Sequence, residues 1–436
     1  MAVLIQDVAP VIKSGVMFSC DPTNYEDKYI IESTKGLGTN VVEGMGKITN
    51  LEITKDEFKE IKDPEIKGLI NSLEKIKNRF NHNVDVEWGI DKEGKIYIFQ
   101  ARPIIHRDNK ITIQYAKDLP IAKGMPISEG FNIGKISDIT SPENGTFLYQ
   151  NEQISMNDIE LLLTNKGVIL RNNTKLSHFA NVLRELAKPC IYIDDFKYIK
   201  DKVYAINAYN GDVIDFDNLS TKDKITMLKE YFNYLKTAIE YSYEKHNGID
   251  YINNDDKYEQ VVFDIDEVDI LARLCALGFK KEIIHQLIYT YDLKDRSMID
   301  YSTIFRIQVS NGNTQVQLKI LDSSNPLYRK EEGIILHFNS LEKAQAFMHQ
   351  FNMEETGFQE RIITKYVNND ISVNIIKWPG CPPYLGIEVN DINNFQKMKE
   401  LLNLDNCLIT NWGGKQIFEK LELDIKECKF VRRKKK

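Results

Sequence analysis

The chain has 436 residues and 42% hydrophobic content, enough for about three domains with ordinary cores. Its net charge of −7 argues against a general nucleic-acid binder. No apolar run reaches membrane-spanning length, the N-terminus lacks a basic region followed by an apolar core, and the six cysteines form no close pair with metal or redox spacing, so a reducing cytoplasm is the expected setting.

Residues 1–106 alternate strand and turn signals around one helix, Pro64 to about Phe80. Asp85-Val-Glu-Trp-Gly-Ile90 alternates, Asp91-Lys-Glu-Gly94 turns, and Lys95-Ile-Tyr-Ile-Phe-Gln-Ala-Arg102 returns, a hairpin pattern. With Ile90 across from Lys95, Glu87 faces Ile98 and Asp85 faces Gln100. Glu87, Gln100 and Arg102 then project from one face, and Val86, Trp88, Tyr97 and Phe99 from the other. A carboxylate, an amide oxygen and a guanidinium on one surface could hold a metal–phosphate group. The same pattern also suits the polar outer face of a half-exposed hairpin.

Residues 107–125 are polar, end near Pro120 and Pro126, and read as a linker. Residues 126–217 mix short strands with one helix. Gly167-Val-Ile-Leu170 reads as a buried strand and Ser177 as a helix N-cap. Ala180, Leu183 and Ala187 repeat at helical spacing, and Pro189 stops the helix. His178 therefore falls in the first helical turn, where unpaired N–H groups and the dipole favour negative charge. It is either a polar residue at a helix end or a nucleophile whose phosphorylated form that end would hold. Residues 218–254 read as a helical linker: Ser220 caps a helix from Lys222 to about Lys245, with Met227, Tyr231, Leu235 and Ile239 at fourfold spacing. Residues 255–428 are strand-rich. Thr303-Ile-Phe-Arg-Ile-Gln-Val309 and Thr314-Gln-Val-Gln-Leu-Lys-Ile320 flank the turn Ser310-Asn-Gly-Asn313, and helices are expected at Leu341–Phe351 and Ile392–Leu402. The tail 429–436 ends in Arg432-Arg-Lys-Lys-Lys436 and reads as a solvated end.

Three stretches carry a family resemblance. Ser177, His178, Arg184, Glu185 and Pro189 match in register the phosphohistidine segment of the PEP-utilising family (pyruvate phosphate dikinase, PEP synthase, rifampicin phosphotransferase). Asn173 and Thr174 stand where that family has glycines, and Leu176 where it has threonine. Glu87-Trp-Gly and Phe99-Gln-Ala-Arg-Pro-Ile104 resemble the end of the ATP-grasp domain of the same enzymes. So do Met1-Ala-Val-Leu-Ile-Gln6, Ser14-Gly-Val-Met-Phe18 with Asp21-Pro22, and Glu32 before Gly36-Leu-Gly38. The resemblance implies ATP contacts at Glu32, Gln100 and Arg102, Mg2+ ligands at Glu87 and Gln100, and His178 as nucleophile with Ser177 and Arg184 beside it. In the family a first ATP-grasp lobe precedes the segment that matches Met1, so a separate polypeptide carrying that lobe is an expected partner, alongside a small-molecule phosphoryl acceptor. Neither nucleic acid nor membrane is expected as a partner.

Phe305-Arg306-Ile307, Leu318-Lys319, Glu360-Arg361 and Trp378-Pro-x-x-Pro-Pro-Tyr-x-x-Ile-Glu388 resemble the CYTH superfamily of class IV adenylyl cyclases and thiamine triphosphatases. That family's closed antiparallel barrel binds triphosphate and metal. By this likeness Arg306, Lys319 and Arg361 contact phosphate. The opening signature Glu-x-Glu-x-Lys reads Tyr258-x-Gln260-x-Val262, so Glu388 is the one acidic ligand expected to survive. The expected fold class is multidomain α+β and α/β: a partial ATP-grasp lobe (1–106), a swivelling β/β/α phosphohistidine domain (126–217), a helical linker, and a CYTH-like antiparallel β-barrel (255–428). The expected function is an ATP-dependent phosphotransferase working through phosphohistidine. The alternative is a non-catalytic nucleotide- or triphosphate-binding regulatory protein.

Overall fold

The computed structural model describes residues 8–22, 26–36, 49–104, 111–143, 145–149, 159–171, 178–240, 248–422 and 427–428. The chain divides into two compact units, Met1–Phe216 and Asp217–Lys436.

The first sheet of unit one has five strands in the order β3-β2-β1-β4-β5: β1 Val11–Phe18, β2 Lys28–Lys35, β3 Thr49–Thr54, β4 Val84–Asp91 and β5 Ile96–Pro103. The helix Pro64–Phe80 covers one face. Asp63 caps it through the backbone N–H groups of Glu65 and Ile66, proline opens it, and Asn81 ends it in the left-handed conformation. Its Leu69, Ile70 and Leu73 pack on Met17, Tyr29, Ile31, Ile53, Val84, Val86, Trp88 and Ile90.

The β4–β5 hairpin turns where the sequence predicts, with the Asp91 carboxylate accepting from the Glu93 and Lys95 amides. Its register differs from the expected one. Ile90 lies across from Ile96, and a bulge between Glu87 and Trp88 brings Glu87 opposite Gln100 and Asp85 opposite Arg102. Tyr97 therefore pairs with Gly89 instead of joining the core face, and Phe99 remains 45% exposed.

A second, mixed sheet runs β6-β13-β12-β8-β9-β10-β11-β7. Its strands are β6 Pro120–Lys123, β7 Met125–Ser128, β8 Phe131–Asp138, β9 Phe147–Tyr149, β10 Gly167–Leu170, β11 Cys190–Tyr192, β12 Val203–Asn207 and β13 Asp212–Asp215. Strands β8 to β11 run parallel, with the helices Ile159–Thr164 and His178–Glu185 between them in sequence. The polar stretch before residue 126 is not wholly a connector, because β6 pairs with β13 and the Tyr115 hydroxyl donates to Asp212 at 2.8 Å.

Unit two opens with the helix Thr221–Glu240 and then a strand, β14 Ile249–Asn254, where a helical linker is expected. Strands β15 Lys257–Phe263, β16 Lys280–Asp292, β17 Thr303–Ser310, β18 Asn313–Asp322, β19 Arg329–Phe338, β20 Glu354–Asn368, β21 Ile371–Lys377 and β22 Tyr384–Val389 pair antiparallel in the circle β19-β18-β17-β16-β20-β21-β22-β15. Pairing of β15 with β19 closes an eight-stranded barrel. Asn311 and Gly312 take positive φ at the β17–β18 turn, as an Asn-Gly hairpin demands. Tyr231 and Phe232 of the long helix pack with Phe305, Phe347 and Phe351.

Candidate functional site

The expected nucleotide residues meet on the face of the first sheet that the Pro64–Phe80 helix does not cover. Cross-strand partners place Asn50, Glu32, Val16, Glu87 and Gln100 in one row over β3, β2, β1, β4 and β5. Directly opposed residues share a face, so two carboxylates and two amides line up here. Glu32 is 4% exposed, and burial pushes its carboxyl up to about 7. Glu87 is half-buried and Gln100 exposed. Val16 sits at the centre of the row in a small apolar cluster with Phe18 and Ile30, a role its sequence neighbours do not signal. Arg102 pairs with the Asp85 carboxylate at 3.0 Å. Its charge is therefore shared with a neighbouring carboxylate.

His178 opens the helix His178–Glu185; Ser177 lies outside the described residues. Ala180 and Leu183 are buried with Val168, Leu170, Leu148 and Cys190, so the helix is seated on β9, β10 and β11. Arg184 donates through Nε to the Ile127 carbonyl at 2.9 Å, tying the helix to β7. Sequence reasoning missed Lys166, the residue before β10. It is 4% exposed, its stem lies over Gly134, and burial together with the Lys188 charge pushes its ammonium down to about 7. A lysine leading straight into an apolar strand was the available signal.

The barrel encloses a cavity of about 870 Å3, and Arg306, Lys319, Arg361 and Glu388 all line it. The expectation of one surviving acidic residue is wrong: Asp255, Glu259 and Glu331 line the same cavity. The family signature falls one residue out of step with the pleat, since Asp255, Lys257 and Glu259 face inward while Tyr258 packs in the outer core.

These carboxylates are already paired. Lys319 Nζ lies 2.8 Å from Asp255 and 3.0 Å from Glu331. Lys257 Nζ lies 2.9 Å from Glu388, and Arg329 bridges Glu331 at 2.9 Å and contacts Glu259. Burial alone would raise Glu331, but Lys319, Arg329 and Lys257 hold it well below the ordinary carboxylate range. Burial raises Glu259 to about 7, against the pull of Arg329. Among the described residues, no group of three or more His, Cys, Asp or Glu side chains is disposed to hold a metal ion. No helix among them is long and apolar enough to cross a membrane.

The model of the pyruvate phosphate dikinase AMP/ATP-binding domain matches residues 1–60 and 46–121. The phosphoenolpyruvate synthase of Pyrococcus furiosus is 26% identical over 243 aligned residues, covering 44% of this chain and 30% of that protein. A probable phosphoenolpyruvate synthase of Archaeoglobus fulgidus is 28% identical over 237, covering 44% and 31%. The chain thus spans about a third of the length of these relatives. A candidate adenylate cyclase from Vibrio parahaemolyticus overlaps 37% of this chain and 98% of its own, at 11% identity and a TM-score of 0.30. A candidate adenylyl cyclase from Hippeastrum, described as having a dominant triphosphatase activity, overlaps 38% and 95%, at 9% identity and a TM-score of 0.29. At such scores the structural likeness carries no functional weight. Over 44% of its length the chain is similar to phosphoenolpyruvate synthases, and its first 121 residues are similar to the ATP-binding domain of pyruvate phosphate dikinase.

Proposed function

We propose that this chain is part of an ATP-dependent phosphotransferase of the dikinase and PEP-synthase type, with His178 as the phosphoryl carrier. The observation that carries the reading is the row Glu32–Val16–Glu87–Gln100 on one face of a sheet within the stretch similar to an ATP-binding domain. Glu87 and Gln100 offer adjacent hard oxygens that suit Mg2+, with Glu32 two strands away on the same face. Bound Mg2+ would neutralise phosphate charge. Arg102 would add a guanidinium to a phosphate while Asp85 orients it. The imidazole of His178, at the start of its helix, would take the phosphoryl group from ATP and pass it to a small-molecule acceptor.

The Arg184–Ile127 hydrogen bond supports a positioning role for Arg184, since it fixes the helix that carries His178. A first ATP-grasp lobe supplied by a second polypeptide would complete the nucleotide site. The test is labelling of the full chain by radiolabelled ATP in the presence of a separately expressed PEP-synthase N-terminal lobe. Glu87→Gln is expected to lower incorporation by at least about tenfold, the scale of effect seen when metal contacts are lost. Incorporation unchanged in Glu87→Gln would contradict the assignment.

A further inference from the structure

Among the cations lining the barrel cavity, Lys257, Lys319 and Arg329 are committed to carboxylates. Arg306 and Arg361 are not. Each makes a hydrogen bond through Nε to a neutral amide oxygen, Arg306 to Gln317 at 2.9 Å and Arg361 to Gln286 at 2.7 Å, and Arg361 also lies over the Trp378 ring at 5.4 Å. Their terminal nitrogens have no carboxylate among the described residues. Both line the same cavity, and after burial the Arg361 charge is the largest influence pushing Arg306 down, to about 10. Two unneutralised guanidiniums facing one cavity repel each other until an anion lies between them.

The wall between them supplies a second observation. Gln308 lies two residues along β17 from Arg306, at the level of Gln359 and one step short of the level of Arg361. It is 8% exposed and lines the cavity. Its Nε2 donates to Ser310 at 3.2 Å, but Oε1 is buried with no hydrogen-bond donor among the described residues. A buried acceptor left open is unfavourable unless something donates to it. The missing donor is an O–H or N–H.

The metal implied by the family likeness does not fit. One oxygen each of Asp255, Glu331 and Glu388 already faces the ammonium group of Lys257 or Lys319, and among the described residues no three carboxylates are disposed to hold a metal ion. A divalent ion there would have to displace a lysine or sit against it. Counting Asp255, Glu259, Glu331 and Glu388 against the five cations leaves one positive charge, and two when Glu259 is protonated. Of the remaining ionisable lining groups, Glu282, Asp300 and Glu419 are exposed, and Lys365 is half-buried and would add a further positive charge.

We propose that the barrel lumen is a metal-independent site for a hydroxyl-bearing phosphomonoester, its phosphate clasped by Arg306 and Arg361 and a hydroxyl donated to Gln308 Oε1. Internal ammonium groups stand where the likeness implies a metal, and one phosphate is accommodated where the likeness implies three. The inference does not depend on His178.

The test is calorimetric titration of the full chain with glycerol 3-phosphate, with methyl phosphate as the probe lacking hydroxyls, each with EDTA and with Mg2+. Glycerol 3-phosphate is expected to bind with Kd at or below about 1 mM, changing less than about twofold between EDTA and Mg2+. Methyl phosphate should bind roughly 2–10-fold more weakly, the worth of one hydrogen bond. Arg306→Gln or Arg361→Gln should weaken both ligands at least about tenfold. Gln308→Leu should abolish the preference for glycerol 3-phosphate while retaining methyl phosphate binding. Binding abolished by EDTA and restored by Mg2+ would overturn the proposal. So would the absence of binding by either phosphomonoester at about 1 mM, or binding by tripolyphosphate with Mg2+ alone. The wild-type EDTA comparison decides the matter even if a variant fails to fold.

Discussion

Glu32 and Lys166 are each buried where their charged form is disfavoured, and the direction of each effect on stability follows. The folded state raises Glu32 from its ordinary 4.5 to about 7. Its contribution is therefore fully present below 4.5 and lost as pH rises through about 7, a change of at most about 3 kcal/mol. The folded state lowers Lys166 from 10.5 to about 7. Its contribution is present above 10.5 and lost as pH falls through about 7. Thermal unfolding of Glu32→Gln should show a gain in Tm over wild type that grows between pH 5 and 8. The gain for Lys166→Met should shrink between pH 7 and 10. Equal gains at every pH would show that neither group changes its proton affinity on folding. The residue types were readable in the sequence, but their burial was not: Glu32 lies in a segment of ordinary β pattern, in a strand flanked by β1 and β3, and is 4% exposed.

At the scale of elements, strands and turns were legible wherever alternation and turn chemistry agreed, as in the β4–β5 and β17–β18 hairpins. Register was not. The turn is one residue longer than expected, so Tyr97 pairs with Gly89 off the core face, and the bulge between Glu87 and Trp88 then returns Gln100 and Arg102 to the face of Glu87. In β15 the signature read at Tyr258, Gln260 and Val262 misses Glu259 by one residue, although Glu259 lines the cavity.

Pairing of β1 with its neighbours also explains a glycine. A Cβ on Gly15 would lie 1.9 Å from the Glu32 carbonyl oxygen and 2.9 Å from the Trp88 ring. Gly15→Ala must spread β1 from β2, because the obstacle is backbone. We expect a loss of about 3 kcal/mol or more in chemical denaturation, at or beyond the upper end of ordinary overpacking, with the row that contains Glu32 and Glu87 disrupted. A loss below about 0.5 kcal/mol would mean that the strands do not approach this closely.

Across the whole molecule, the two proposals rest on different arrangements of charge. The first sheet aligns oxygens that suit a cation with its nucleotide; the barrel confines its carboxylates with lysine and arginine and leaves two guanidiniums for an anion. Glu87 and Gln100, singled out by the sequence motifs, lie opposite each other in the first sheet, and Arg306 and Arg361 line the barrel cavity. The motifs could not reveal that Lys257 and Lys319 neutralise the acidic wall, because an ion pair between distant strands leaves no local pattern. The partial overlap with phosphoenolpyruvate synthases leaves the acceptor to be found by experiment, but the central claim can be tested without it.

That claim is that His178 carries the phosphoryl group. Phosphopeptide mapping of the full chain after incubation with ATP and a PEP-synthase N-terminal lobe tests it most directly. The account predicts acid-labile, base-stable phosphate on the peptide containing His178, absent from His178→Ala. Label that persists in the variant, or that maps to another residue, would contradict it.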